Sequence, residues 1–209
     1  MHTISNNTIN DSGSSGIVVG GETPAQVEYN TVRDNTISRS NQLAYDSGGI
    51  YVYFSGDGNV IKRNTIQNGG TNELKSAGIM LDIDAGPVRI KRNTIRNNSH
   101  GGIVLTESNH VIRQNTLQYN SRPQFKTAEI VFFPVNDDVA NIEVRHNDFT
   151  AAPGRSFFRV STGSTIGHNI DKNDYVGGGD TPFYWAGQEM TFEEWQQNTL
   201  NDLNSTYQQ

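Results

Sequence analysis

Residues 49–66, Gly49-Ile50-Tyr51-Val52-Tyr53-Phe54-Ser55-Gly56-Asp57-Gly58-Asn59-Val60-Ile61-Lys62-Arg63-Asn64-Thr65-Ile66, hold three short apolar runs separated by turn-forming residues. The first run opens with Gly49-Ile50, the second is Val60-Ile61, and the third is the triplet Asn64-Thr65-Ile66. The same order recurs along the chain. The triplet stands at Asn7, Asn35, Asn64 and Asn93, then as Asn115-Thr116-Leu117 and, degraded, as Asn147-Asp148-Phe149, at spacings of 28, 29, 29, 22 and 32 residues. Gly-Ile runs begin at Gly16, Gly49, Gly78 and Gly102, and intermediate runs lie at Val27 to Val32, Val88 and Ile90, Val111-Ile112, and Ile142 and Val144. A period of this size is that of a solenoid. Three β-runs per period mean three strands per coil, so the fold class is all-β: a right-handed parallel β-helix of about six to seven coils.

Composition agrees with that architecture. Only 33% of the 209 residues are hydrophobic and 21 are Gly, which would suggest disorder if the apolar residues were scattered rather than periodic. Net charge is -6, and no run of Lys and Arg interleaves with aromatics, so the phosphate-neutralising surface that nucleic acid needs is not expected, and nucleic acid is not an expected partner. There is no cysteine, which removes disulfides and thiolate metal sites. No stretch of about 18 apolar residues occurs, so no membrane span is expected, and no signal peptide is visible. Asn7-Thr8-Ile9 already belongs to the repeat, so the sequence reads as starting inside a longer or processed protein, of extracellular or periplasmic location.

The repeat divides the chain into residues 1–180, the β-helix, and residues 181–209, a C-terminal cap segment and helix. Thr191-Phe192-Glu193-Glu194 is a capping box, and Phe192, Trp195, Leu200 and Leu203 are expected along one face of the helix it starts. Nothing comparable precedes Asn7, so the first coil is expected to be an uncapped edge able to join another copy in a homo-oligomer. The repeat asparagines are read as structural, tolerating left-handed turns and bonding their equivalents one coil away.

Stacked coils align equivalent positions, and side chains alternate along each strand. In Gly78-Ile79-Met80-Leu81-Asp82-Ile83-Asp84 the inward set is expected to be Ile79, Leu81 and Ile83, with Met80, Asp82 and Asp84 outward. Asp82 then aligns with Tyr53 and Thr106, Asp84 with Ser55 and Ser108, and Met80 with Tyr51 and Val104. Tyr51 and Tyr53 supply aromatic surface for sugar rings. Two Asp residues two apart on a strand lie about 6.6 to 7 Å apart, and groups on neighbouring coils about 5 Å. Glycosidases use carboxyl pairs at both separations, so Asp82, Asp84 and Glu107 are the candidate catalytic residues. Asp46 and His100 are further candidates for substrate contact, with Glu129, Phe133 and Arg159 as possible extensions of the groove. No cofactor is required. Ca²⁺ is the alternative occupant of the acidic pair, because clustered oxygen ligands attract hard cations.

On these residues the chain resembles the pectin-lyase-like right-handed parallel β-helix superfamily. The Gly78 to Asp84 and Gly102 to Ser108 segments look like a two-coil signature of β-xylosidase-type glycoside hydrolases. The resemblance implies an Asp nucleophile on one coil and a Glu acid/base on the next. That Glu stands four residues after its Gly, where this chain has Thr106. Glu107, one later, serves only if the strand's end turns it outward. Three functions follow: a glycoside hydrolase or truncated derivative acting on a polysaccharide or oligosaccharide, a non-catalytic carbohydrate-binding or adhesion module, and, ranked last, a polysaccharide lyase or epimerase with Lys75 or Arg159 beside a uronate.

Overall fold

A computed structural model describes residues 1–45, 47–125, 127–135 and 138–209. The chain winds as a parallel β-helix of about seven coils, with three sheets of seven, eight and eight strands, parallel except for the antiparallel edge strand Gln188–Met190, and one C-terminal helix among the described residues. Each coil gives one strand to each sheet, so strands far apart in sequence are hydrogen-bonded neighbours. Ser76–Leu81, for example, lies between Ser47–Tyr53 and Gly101–Leu105.

In-register pairing turns sequence periodicity into columns. Ile4, Val32, Ile61, Ile90, Ile112, Val144 and Ile170 form one internal column. Ile9, Ile37, Ile66, Ile95 and Leu117 form a second, which continues as Phe149, Tyr175 and Tyr207. The bore therefore changes from aliphatic to aromatic toward the C-terminal end. There Phe183 stacks on Trp195 at 4.8 Å and Phe149 on Tyr175 at 5.1 Å.

The Gly-Ile junction has a steric cause. A Cβ on Gly49 would sit 2.5 Å from Ile66 Cγ2, and one on Gly78 2.3 Å from Ile95 Cγ2. Those glycines face the bore immediately before an inward Ile, at a point where the chain passes too close to the next sheet for a side chain.

Asparagine holds the turn between the other two sheets. Asn64 N and Nδ2 donate to Asn93 Oδ1 at 2.9 and 3.0 Å, and Asn93 repeats this on Asn115. The ladder runs unbroken from Asn7 to Asn173, one member beyond the triplets recognised in the sequence. It ends where Asn173 Nδ2 donates to Asp202, a buried carboxylate that also accepts from Trp195 Nε1 at 2.7 Å and Tyr175 Oη at 3.0 Å.

The capping box forms as expected, with Thr191 as N-cap and Glu194 closing it. The helix Phe192–Thr199 is shorter than the apolar pattern implied and buries only Phe192 and Trp195. Leu200 is its left-handed C-cap, and Leu200 and Leu203 are 75% and 61% exposed rather than packed. Phe183–Trp185 and Thr206–Gln208 add strands to two of the sheets, so the C-terminal segment continues the coil around the helix.

Candidate functional site: a cleft on the Gly-Ile sheet

Outward side chains of the Gly-Ile sheet also stack in register. Tyr51, Met80, Val104, Val131 and Arg159 make one column. Beside it, Asp82 N donates to Val52 O and Thr106 N to Leu81 O, which sets Tyr53, Asp82 and Thr106 side by side as the alternation predicts. Met80, Val104 and Val131 pack together as a small apolar floor outside the bore.

Over this floor lies a cleft of about 460 Å³. Asp82, Ile83, Thr106, Phe133 and Val135 line one side, Lys75, His100, Phe125 and Thr127 the other, and Arg159 also lines it. Four of the lining residues, Phe125, Thr127, Phe133 and Val135, come from the longest interval between ladder asparagines, the 32 residues from Asn115 to Asn147. Phe125, Thr127 and Val135 were not anticipated; that long interval was the available signal.

Asp82 is the carboxylate that the described residues bring to this cleft. Tyr51 Oη donates to its Oδ2 at 2.6 Å, and Thr106 Oγ1 to its Oδ1 at 3.4 Å. The Tyr51 and Tyr53 rings stack at 5.2 Å on the preceding coil, beside the cleft rather than in its lining. His100 forms part of the wall, edge-on to Phe125 at 6.1 Å. Burial, helped by the Lys75 ammonium, pushes its imidazole down to about 4, so it is neutral near pH 7. Its Nδ1 has no hydrogen-bond partner among the described residues. Arg159 stacks over the Tyr184 ring at 3.9 Å, which fixes the guanidinium. Neither Lys75 nor Arg159 has a carboxylate partner among the described residues.

Asp84 and Glu107 lie elsewhere. The strand stops at Leu81, Ala85 N donates back to Asp82 O, and Asp84 takes a left-handed φ of 55°. The turn breaks the alternation. Ala85 rather than Ile83 enters the bore, Ile83 lines the cleft, and Asp84 faces solvent. The same turn moves the register by one, so that Ala85 rather than Asp84 pairs with Ser55. Glu107 follows the end of its strand, and its Oε1 accepts from Asp84 N at 3.1 Å across the coils. Asp46 lies outside the described residues.

Of the groove extensions, Phe133 and Arg159 do line the cleft, but Glu129 does not. It occupies the inward position held by glycine in the preceding coils and is buried in the bore. There it accepts from Asn120 N and Nδ2 at 2.9 and 2.7 Å, ending a second asparagine ladder through Asn98 and Asn120. No three His, Asp or Glu side chains converge as a metal site among the described residues. No helix among them is long and apolar enough to cross a membrane.

A family model described as "Right handed beta helix region" matches residues 1–149, more than half of the chain. The chain belongs to the right-handed β-helix family. No curated protein and no solved structure matches it. The β-helix fold is consistent with carbohydrate-active proteins, and because this architecture hosts several unrelated activities, the chemistry has to be argued from the cleft.

Proposed function

We propose that this β-helix protein is carbohydrate-active and takes a sugar unit bearing a carboxylate, such as a uronate within an oligosaccharide, into the cleft of the Gly-Ile sheet. One observation carries the reading: Asp82, the carboxylate among the described lining residues, shares the cleft and its apolar floor with two cations, Lys75 and Arg159, that have no carboxylate partner among the described residues. The floor of Met80, Val104 and Val131 suits the apolar face of a sugar ring, and Phe125 and Phe133 enclose it. Lys75 and Arg159 suit the ligand's carboxylate; each charge-assisted hydrogen bond of this kind contributes about 1.5–3 kcal/mol. Asp82, held by Tyr51, is placed to accept a sugar hydroxyl proton. The neutral His100 is the second group in the cleft able to accept one.

This raises the third of the sequence-derived functions, because Lys75 and Arg159 meet in one cleft despite the chain's overall negative charge. Glycoside hydrolysis through Asp82 and Glu107 is the second reading. It is favoured by Glu107 reaching across to the coil that carries Asp82. Non-catalytic binding needs only the floor and the cations.

Incubation with oligogalacturonate and with a neutral xylo-oligosaccharide separates the three. Unsaturated ends formed from the uronate chain support proton abstraction, reducing ends without unsaturation support hydrolysis, and binding without product supports the module. Arg159→Gln is expected to weaken uronate binding by about tenfold or more, and Asp82→Asn to abolish any turnover. Equal affinity of wild type and Arg159→Gln for the uronate, or binding of the neutral chain alone, refutes the acidic-sugar reading.

A further inference from the structure

The adjacent sheet, which follows the Gly-Ile sheet in each coil, carries a ladder of positive charge on its outer face. Arg33, Lys62, Lys91, Arg113 and Arg145 are successive register partners. Like charges placed directly opposite each other destabilise a sheet, and successive strands are only about 4.8 Å apart. A fold of net charge -6 with 22 carboxylates had ample means to alternate the signs along this column.

Carboxylates pair with the ladder toward its ends and, among the described residues, leave Lys62 and Lys91 at its centre without an ion pair. Asp34 pairs with Arg33 at 2.6 Å and with Arg63 at 2.7 Å, Arg113 pairs with Glu143, and Arg145 with Asp171 at 3.5 Å. Lys62, Arg89, Lys91 and Arg92 have no carboxylate partner among the described residues. Arg92 Nε donates only to the neutral Gln114 Oε1, at 3.0 Å. Lys62 lies on one coil and Arg89, Lys91 and Arg92 on the next, with Lys62 and Lys91 direct register partners. Beside Arg89 runs a shallow groove of about 360 Å³ that includes the ring of Tyr29, which is 57% exposed.

We infer that this ridge is a docking surface for a linear acidic polysaccharide lying along the solenoid axis. Lys62 and Lys91 stand one coil apart, about 4.8 Å, and with Arg89 and Arg92 on the second coil they offer a cluster of four cations to the carboxylates or sulfates of such a chain. Tyr29 offers a sugar ring an aromatic face beside Arg89. Duplex nucleic acid winds its phosphates around an axis and meets a straight column at few points. Single strands bind through successive stacking aromatics, and Tyr29 is the one aromatic among the described residues that line the groove. The ridge occupies a different sheet from the cleft, and its reading stands whether or not the cleft binds a uronate.

The test is the affinity of the purified protein for polygalacturonate at about 50 and about 200 mM salt. The triple variant Lys62→Gln, Lys91→Gln, Arg92→Gln removes side chains that make no ion pair among the described residues and relieves the Lys62–Lys91 repulsion, so its melting temperature is expected to match or exceed that of the wild type. Arg33→Gln with Arg145→Gln removes charge from the neutralised ends as a control. Over that fourfold rise in salt, the wild type is expected to lose roughly 20-fold more affinity than the triple variant, with the end variant close to wild type. Arg159→Gln is expected to keep the ridge's salt dependence, and loss in the triple variant alone supports the ridge even if the cleft reading fails. Equal binding by wild type and triple variant overturns the ridge. Tighter binding of a single-stranded oligonucleotide or of phosphatidylserine vesicles than of polygalacturonate overturns the assignment of its partner.

Discussion

Replacing His110 by Asn is expected to make the protein less sensitive to acid. The residue lies in a column, at the entry to the sheet that follows the Gly-Ile sheet, where a side chain of one coil accepts a backbone N–H of another. Asn59 Oδ1 accepts from Asn30 N at 2.9 Å, and Asn30 Oδ1 from His2 N at 2.8 Å. His110 Nδ1 does the same for Val88 N at 3.2 Å, and His168 Nδ1 for Ile142 N. A ring nitrogen can accept only while unprotonated, and His110 is fully buried with Nε2 lacking a partner among the described residues. Burial pushes its imidazole down to about 3.

The unfolded chain therefore binds a proton at this histidine near pH 6.5, while the folded chain resists until about pH 3. The stability involved is complete above pH 6.5 and is lost as pH falls toward the folded value. At about 1.36 kcal/mol per pH unit, the loss by about pH 4 is about 3 kcal/mol. Asn at 110 keeps an acceptor and removes the titration. The smaller side chain costs about 1–2 kcal/mol of packing at every pH, which leaves the slope unaffected. Denaturant unfolding followed by far-ultraviolet circular dichroism at about pH 7 and about pH 4, with hydrogen exchange of the Val88 amide, measures the difference. If the wild type and the Asn variant lose the same stability over that interval, His110 does not carry the acid lability and the reasoning fails.

Two further outcomes follow from buried polar groups. Asn93→Ala leaves Asn64 N without its acceptor and removes the donor to Ile61 O, so a loss of about 3–5 kcal/mol is expected, against under about 1 kcal/mol for Asn7→Ala at the exposed start of the ladder; thermal melts of both variants check the contrast. Burial pushes the Glu129 carboxyl up to about 8, so the folded chain keeps a proton that the unfolded chain releases near 4.5. That stability is complete below pH 4.5 and is lost as pH rises through about 8, by about 4–5 kcal/mol, and melts of Glu129→Gln at about pH 6 and about pH 9 should show a flatter alkaline decline than the wild type.

The fold was legible because its main constraint is chemical and recurs at one position per coil. The turn amide must be met by a short amide side chain that tolerates the bend, so Asn survives at each step, and inward β-branched residues survive beside it. The ladder's last member was missed because Asn173-Asp174-Tyr175 keeps the amide and loses the Thr-Ile: at the aromatic end of the bore the inward place is taken by Tyr175. Leu200 and Leu203 were misplaced on the helix because a helical spacing persists beyond the left-handed residue that ends it.

The site was less legible, because it arises where the repeat is broken. Asp82 and its two tyrosines follow from register alone. Asp84 fails because one left-handed residue ends the alternation, and no count of apolar positions reveals which residue will turn. Glu129 stands where earlier coils have glycine, and it reads as an outward strand residue until two consecutive inward positions at the Gly-Ile junction are allowed for. The ridge was invisible for the opposite reason, since it obeys the repeat. Arg33, Lys62, Lys91, Arg113 and Arg145 are far apart in the linear chain and form no run there, yet winding places each beside the next. Charge clustering in a solenoid therefore has to be sought at the period of the coil, where an acidic chain sets five basic residues in one register column.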